Sequence, residues 1–306
     1  MAMGRATPLV RLRSRAADRA GVGLYLKRDD LIHPQISGNK WRKLKYNLLE
    51  ARRQGHDTLL SFGGAYSNHL YAVAAAGRAF GFRTVGLVRG EETLPLNPTL
   101  TFALECGMAL QYVPRAQYRD KMDAGWLESL RVAYGDFYLL PEGGSNALAV
   151  RGVAELVAEM DVLWQYLCCP CGTGGTLAGL VAGAAGRGLV VGFAALKGGD
   201  FLRGEVGQLL REHEGLTGEP ASNYANWQVQ TGYHFGGYAR VTPPLLAFIR
   251  RFEGENGIRL EQVYTAKMLS GIEDLLGAGF FGRGTAVVAL HTGGLQGRLP
   301  QLDGNG

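Results

Sequence analysis

The sequence predicts an α/β protein of mainly parallel sheets with helices on both faces, organised as two lobes. Strand-like apolar runs alternate with helix-period segments along almost the whole chain, and glycine-rich motifs follow several of those runs. The length of 306 residues, 46% apolar and 19% charged, suffices for two packed cores.

The strand-like runs fall at 22–26, 58–62, 84–88, 109–113, 137–140, 163–169, 189–196 and 285–290, and helix-period segments at 40–53, 67–80, 147–160, 176–185 and 266–276. This β-α-β rhythm places sites at the carboxyl ends of strands. No Pro/Ser linker and no fixed-period repeat divides the chain, so the lobes are expected to share crossing segments: 1–46 with 150–306 as the larger, 47–149 as the smaller.

Composition removes several function classes. The 46 glycines are about twice the usual share, yet follow no collagen-like period, and so belong to turns and anion-cradling loops. A net charge of +5 is spread along the chain without interleaved aromatic clusters, which argues against nucleic acid as a partner. The basic start, with Arg5, Arg11, Arg13, Arg15 and Arg19 against Asp18, loosely resembles a transit segment, but Thr7-Pro8-Leu9 leads directly into a strand-like run, so the arm reads as part of the fold. With no apolar run of membrane-spanning length, a cytoplasmic location is expected and no membrane partner. Of four cysteines, Cys168, Cys169 and Cys171 form a C-x-x-C. Without a paired His motif they read as buried packing, and no metal is expected.

Five constellations carry the chemistry. Ser37-Gly38-Asn39-Lys40 opens a helix with a lysine in its first turn, where the positive dipole end disfavours an ammonium and biases the amine toward the neutral nucleophile. The plain alternative, a solvated lysine, stays open on spacing alone; Lys43 and Lys45 read as surface residues. Cys171-Gly172-Thr173-Gly174-Gly175-Thr176 lies between a buried strand and an apolar helix and has the form of a phosphate cradle, lacking the lysine of a nucleotide P-loop. Gly63-Gly64-Ala65-Tyr66-Ser67-Asn68-His69 and Glu142-Gly143-Gly144-Ser145-Asn146 repeat the strand, glycine turn, capped-helix arrangement, so Ser67, Asn68, Ser145 and Asn146 can be caps, site wall or both. Tyr238, Tyr264 and His291-Thr292-Gly293-Gly294 complete the set, with lone His291 read first as a satisfied histidine.

In this order K-R-D-D, S-G-N-K-x-R-K-L, Y-S-N-H, E-G-G-S-N, G-T-G-G-T and H-T-G-G resemble the D-cysteine desulfhydrase and 1-aminocyclopropane-1-carboxylate (ACC) deaminase family, from about Thr7 to about Gly294. The resemblance implies a two-domain fold-type II enzyme, tryptophan synthase β-like, that uses pyridoxal 5′-phosphate (PLP), acts on a small amino acid and assembles as a homodimer. It implies that Lys40 holds PLP as a Schiff base and moves the Cα proton. Ser67, Asn68 and His69 would hold the substrate carboxylate, with Asn68 also near the cofactor. Gly172, Thr173, Gly174, Gly175 and Thr176 would take the phosphate. Tyr238 and Tyr264 would line the substrate side, while Thr265 and Thr292 would lie toward the pyridine nitrogen.

Within the family, deaminases resemble V-Y-E-G-K and H-L-G-G where desulfhydrases show V-Y-T-G-K and H-T-G-G. Threonine at both 265 and 292 places the chain closer to the desulfhydrases. A hydroxyl instead of a carboxylate beside the ring nitrogen makes a shallower electron sink, which suits expulsion of a thiol better than ring opening. Ala266, where the family usually has glycine, and a short stretch between 82 and 140 depart from the pattern and leave the substrate open. Other PLP β-eliminations or β-replacements, and PLP binding without turnover, remain as alternatives.

Overall fold

The computed structural model describes residues 6–219 and 224–303; Arg5 lies outside them. Among the described residues ten strands form two sheets. In the first, β1 (Leu9–Arg11), β2 (Gly23–Lys27), β7 (Tyr166–Cys171), β8 (Leu189–Ala194), β9 (Trp227–Gln230) and β10 (Ala286–Leu290) take the order β1-β2-β10-β7-β8-β9. Only β1 runs antiparallel, pairing Leu9 with Lys27, so the basic arm is an edge strand of the fold. The second sheet has β3 (Thr58–Gly64), β4 (Arg83–Arg89), β5 (Met108–Val113) and β6 (Tyr138–Leu140), all parallel, in the order β5-β4-β3-β6.

Period-two alternation sorts side chains onto the faces of the larger sheet. Val287 and Ala289 pack on one face with α1 (Arg15–Ala20), α10 (Pro243–Asn256) and α11 (Thr265–Gly277). Val288 and Leu290 pack on the other with α7 (Ala147–Ala158), α8 (Gly175–Ala184) and α9 (Leu202–Thr217). The same alternation splits the cysteines: Cys168 joins the first core, Cys169 and Cys171 the second. Burial raises the thiol pKa of Cys168 and Cys169, so these are packing groups rather than thiolates.

The smaller sheet is covered on one face by α2 (Asn39–Arg53) and α3 (Asn68–Phe80), and on the other by α6 (Ala124–Tyr134). The short α4 (Pro98–Glu105) and α5 (Arg115–Arg119) complete this region. Both expected crossing points, 46/47 and 149/150, fall inside helices. We propose the α2–α7 pair as the seam between the lobes: a Cβ on Gly152 would sit 2.0 Å from the Arg42 carbonyl oxygen, so the two backbones touch where only glycine fits.

A buried charge network fixes α2. Arg42 grips Asp29 through Nε (2.6 Å) and Nη2 (2.8 Å) and Glu159 through Nη1 (2.7 Å), while Lys27 reaches Glu159 at 3.0 Å and the Thr7 carbonyl at 2.6 Å. Removing one partner strands a buried charge, at a cost of roughly 3–5 kcal/mol. K-R-D-D is therefore the anchor of the lysine-bearing helix.

The strand expected at 163–169 starts later, because Leu163 is 91% exposed and only from Tyr166 does the chain enter the sheet. Unanticipated are β1, β9, α1, α4, α5, α6, α9 and α10, mostly short or strongly charged elements whose apolar period is weak. For α10 the boundary signals were present: Pro243 at its start and left-handed Gly257 (φ 65°) at its end. Among the described residues no helix is long and apolar enough to cross a membrane.

Candidate active site

The carboxyl ends of β3, β7 and β10 open on a cavity of about 540 Å³ between the two sheets. Lys40, Ser67, Asn68, His69, Gly172, Thr173, Gly174, Thr176, Tyr238, Tyr264 and Thr292 all line it, although 252 residues separate Lys40 from Thr292 in sequence. Gly175 and Thr265 do not.

Lys40 stands in the first turn of α2, whose start is locked by a close approach. Gly38 has φ 63°, and a Cβ there would lie 1.8 Å from the Thr292 carbonyl oxygen. The Asn39 side chain donates to Thr176 Oγ1 at 2.8 Å, tying the start of α2 to that of α8. Burial lowers the Lys40 pKa to about 8, so roughly a tenth of it is neutral at pH 7. The lowering expected from the helix dipole is thus accounted for by desolvation.

Lys43 is no surface residue. It lies on the same helix face, three residues on, with 2% exposure, and its Nζ donates to the Gly143 carbonyl (3.2 Å) and Ser145 Oγ (3.1 Å). Burial first, then the neighbouring Lys40, hold its pKa well below the usual lysine value. No carboxylate among the described residues lies in ion-pair reach of either amine. Lys45 is half-buried and paired with Glu155.

Opposite Lys43 stands the glycine loop. Gly174 has φ 78°, and α8 starts with no side-chain cap, leaving its first N–H groups for an anion. Gly175 turns away from the cavity: a Cβ there would strike Ser145 Oγ at 2.4 Å and Lys43 Nζ at 3.0 Å. A Cβ on Gly143 would meet Thr173 Oγ1 at 2.6 Å, and Ser145 Oγ lies 2.7 Å from that same oxygen. Two buried amines without a carboxylate, convergent hydroxyls and an uncapped helix start fit a phosphate group with an aldehyde within reach of Lys40.

On the other wall Ser67 caps α3, accepting from the His69 and Leu70 amides at 3.2 Å each; Asn68 is held by Gln296, whose Nε2 donates to its Oδ1 at 2.8 Å. His69 is buried, and burial holds it neutral. The Ser61 hydroxyl donates to the Leu140 carbonyl (2.9 Å), so His69 Nε2 must donate to Ser61 Oγ (2.9 Å), leaving Nδ1 an unpartnered acceptor. The ring thus offers a lone pair rather than a proton. Asn146 caps α7, its Oδ1 accepting from the Ala149 amide at 2.9 Å, while Ser145 faces the glycine loop.

Tyr264 and Tyr238 meet edge to face at 6.0 Å, and the Tyr264 hydroxyl donates to that of Tyr238 at 3.3 Å. Burial, with Tyr238 beside it, raises the Tyr264 pKa well above normal, so it stays a proton donor. Thr265, expected on the wall, is fully buried behind Tyr264 as the first residue of α11. There buried Glu261 caps the helix, accepting from the Val263 (2.7 Å), Tyr264 and Thr265 amides. His291 is satisfied: Nε2 meets the Arg259 carbonyl at 2.8 Å, and Nδ1 accepts from the Gly293 amide at 3.2 Å.

Beyond the expected residues the cavity wall includes Asn39, Lys43, Arg89, Glu142 and Gly143. Among the described residues Glu142 is the one carboxylate on it, and Lys121 engages it at 3.2 Å.

Parallel sheets with an amine facing an anion cradle at their carboxyl ends define the site of a cofactor-dependent α/β enzyme. Residues 2–293 match the family of pyridoxal-phosphate dependent enzymes, and the chain belongs to it. PLP is its cofactor. It is 33% identical to a Thermotoga maritima protein named as an ACC deaminase, over 95% of each chain. It is 30% identical to the D-cysteine desulfhydrase of Yersinia pestis, over 95% of this chain and 92% of that one. The crystal structure of an ACC deaminase homologue superimposes with a TM-score of 0.86 at 27% identity, covering all of this chain and 94% of the other. The enzyme is thus a PLP-dependent lyase of the ACC deaminase and D-cysteine desulfhydrase group.

Proposed function

We propose that the enzyme eliminates a small β-substituent from an amino acid, with D-cysteine as first substrate: D-cysteine and water give pyruvate, ammonia and hydrogen sulfide. The observation that carries this is Lys40, an amine with its pKa lowered to about 8 on the wall shared with the glycine cradle. Lys43 Nζ, Thr173, Thr176 and the start of α8 would hold the phosphate, and Lys40 would hold the cofactor's aldehyde end. PLP, when bound, supplies an electron sink for negative charge developing at Cα.

Lys40 Nζ, when free and neutral, takes the Cα proton. The start of α3, with Ser67 and Asn68, faces the substrate carboxylate with its positive end. The Tyr264 hydroxyl, kept protonated by burial, gives a proton to the departing sulfur, and Tyr238 positions it. Thr292, on the same wall, would offer its hydroxyl to the cofactor ring. Among the described residues Glu142 is the one carboxylate on the wall and Lys121 holds it, so none is free there to deepen the sink, which suits a thiolate leaving group. Homodimeric assembly is part of the same proposal.

ACC deamination is the second reading, favoured by the Thermotoga maritima relative's name. The test is the holoenzyme with D-cysteine, L-cysteine, β-chloroalanine and ACC, measuring pyruvate, sulfide and 2-oxobutyrate. Pyruvate and sulfide from D-cysteine are expected. Turnover of ACC without any of D-cysteine would replace the first reading by the second.

A further inference from the structure

Lys267 sits one turn into α11, three residues after Tyr264, with 1% exposure. An ammonium has three donors, and all three are used on backbone carbonyls: Gly237 at 2.8 Å, His234 at 2.9 Å and Ala195 at 3.3 Å. Ala195 follows β8, and its neighbour Leu196 lines the cavity. His234 and Gly237 bracket the turn that delivers Tyr238. That turn is costly by itself. Phe235 (φ 53°), Gly236 (92°), Gly237 (137°) and Ala239 (55°) all have positive φ, and two of them carry a Cβ. Its own hydrogen bonds are few: Gly237 N to the His234 carbonyl, Gly236 N to His234 Nδ1 and Arg240 N to the Gly237 carbonyl.

We propose that Lys267 is the positioning residue for Tyr238, a built-in cation that gathers three carbonyl oxygens and holds the turn in its unfavourable conformation. One helix start then places both tyrosines, Tyr264 by chain connection and Tyr238 through the ammonium. The inference rests on the proposed function only in giving Tyr238 a task; the tripod itself does not. Because the three oxygens form a cation site, deleting the side chain leaves a pocket that a small ammonium ion can fill. An apolar side chain of equal length occupies the same space without donors.

The test is hydrogen exchange by mass spectrometry on the PLP-loaded full chain, following peptides over 232–240, with turnover read in parallel. In Lys267→Ala these amides should exchange roughly tenfold faster or more, the scale set by losing hydrogen bonds to a charged group. Ammonium or methylammonium chloride should slow exchange again and raise turnover, and tetramethylammonium at equal ionic strength should not. Lys267→Met should show the faster exchange without rescue. Adding Tyr238→Phe to Lys267→Ala should lower turnover by less than the product of the single effects. Unchanged exchange over 232–240 in both variants would overturn the proposal, as would faster exchange that no small ammonium ion reverses in Lys267→Ala. If the wild type turns over no amino acid, the functional reading fails while exchange still decides the tripod.

Discussion

The helix starts of the molecule are of two kinds. Those of α3, α7 and α6 are closed by the chain's own side chains, Ser67, Asn146 and Asp123, each accepting from amides of the first turn. No side chain caps the start of α2 or of α8, after Gly38 and Gly174, but the first amides of α2 are taken by backbone carbonyls, Asn39 N by that of Thr292, which leaves α8 as the open end. A helix start needs partners for about four N–H groups, so an end that the protein caps is paid for by its own residues, whereas an uncapped end beside buried lysines is built for an external anion. The difference separates structural helix starts from ligand-holding ones in a sequence where α2, α3, α7 and α8 all follow glycine.

The sharpest break of that comparison is at Lys40. Lys40→Ala should lower turnover at least ~1000-fold, because the variant loses both the covalent attachment and the proton carrier. It should also lose the visible absorbance of lysine-bound PLP, yet retain PLP through the open start of α8. Normal turnover, or no PLP binding at all in a folded variant, would each contradict the division of labour drawn here.

Lys43→Met comes next. It keeps the aliphatic bulk and removes the buried amine, and should weaken PLP binding by roughly 10- to 100-fold, the worth of charge-assisted hydrogen bonds to a phosphate. Equilibrium dialysis of the apoprotein measures it; an unchanged dissociation constant would mean that the glycine loop holds the phosphate alone.

A smaller effect concerns pH. Folding holds the Lys40 pKa near 8, against an unfolded value near 10.5, so the unfolded chain binds more protons between those values. The apoprotein's stability should therefore rise as pH climbs from 8 to 10.5, the penalty being complete below 8. Lys40→Met should flatten that slope. Thermal melts of both apoproteins over this range decide it, and parallel curves would place the depressed amine elsewhere.

Much of this was legible before folding. Lys40, Ser67, the 172–176 loop, Tyr238 and Thr292 could be read because each sits in or beside a glycine-marked turn, and glycine records a backbone constraint locally; Tyr264, with no glycine beside it, was legible only through the family resemblance. What escaped depends on burial. Lys43 looks like its solvated neighbours, and only the packing of α2 against 143–145 puts its ammonium inside; its i,i+3 spacing from Lys40 was the available signal. Thr265 escaped in the opposite direction. Its motif position suggested the cavity wall, but as the first residue of α11 it is fully buried and is not among the lining residues. The ring of His69 is governed by Ser61 and Leu140, eight and 71 residues away in sequence, which no local pattern encodes. In α9 and α10 charge dilutes the apolar stripe; α10 carries both start and stop signals, while α9, entered from Phe201, carries only the stop at Gly218.

The gentlest probe acts on a closed end. Asp123 caps α6 on the far face of the smaller sheet, its Oδ1 accepting from the Trp126 amide at 2.8 Å, and it does not touch the cavity. Asp123→Ala should cost about 1 kcal/mol of stability through loss of the cap and of a negative charge at the positive helix end. PLP affinity and turnover should stay at wild-type values. The stability loss is read from denaturant unfolding of the apoprotein, and PLP affinity from the same dialysis used for Lys43→Met. A closed start that altered PLP binding as strongly as Lys43→Met would show that side-chain capping does not mark the structural ends. An unaltered affinity, set against the loss at Lys43, would tie ligand binding to the open ones.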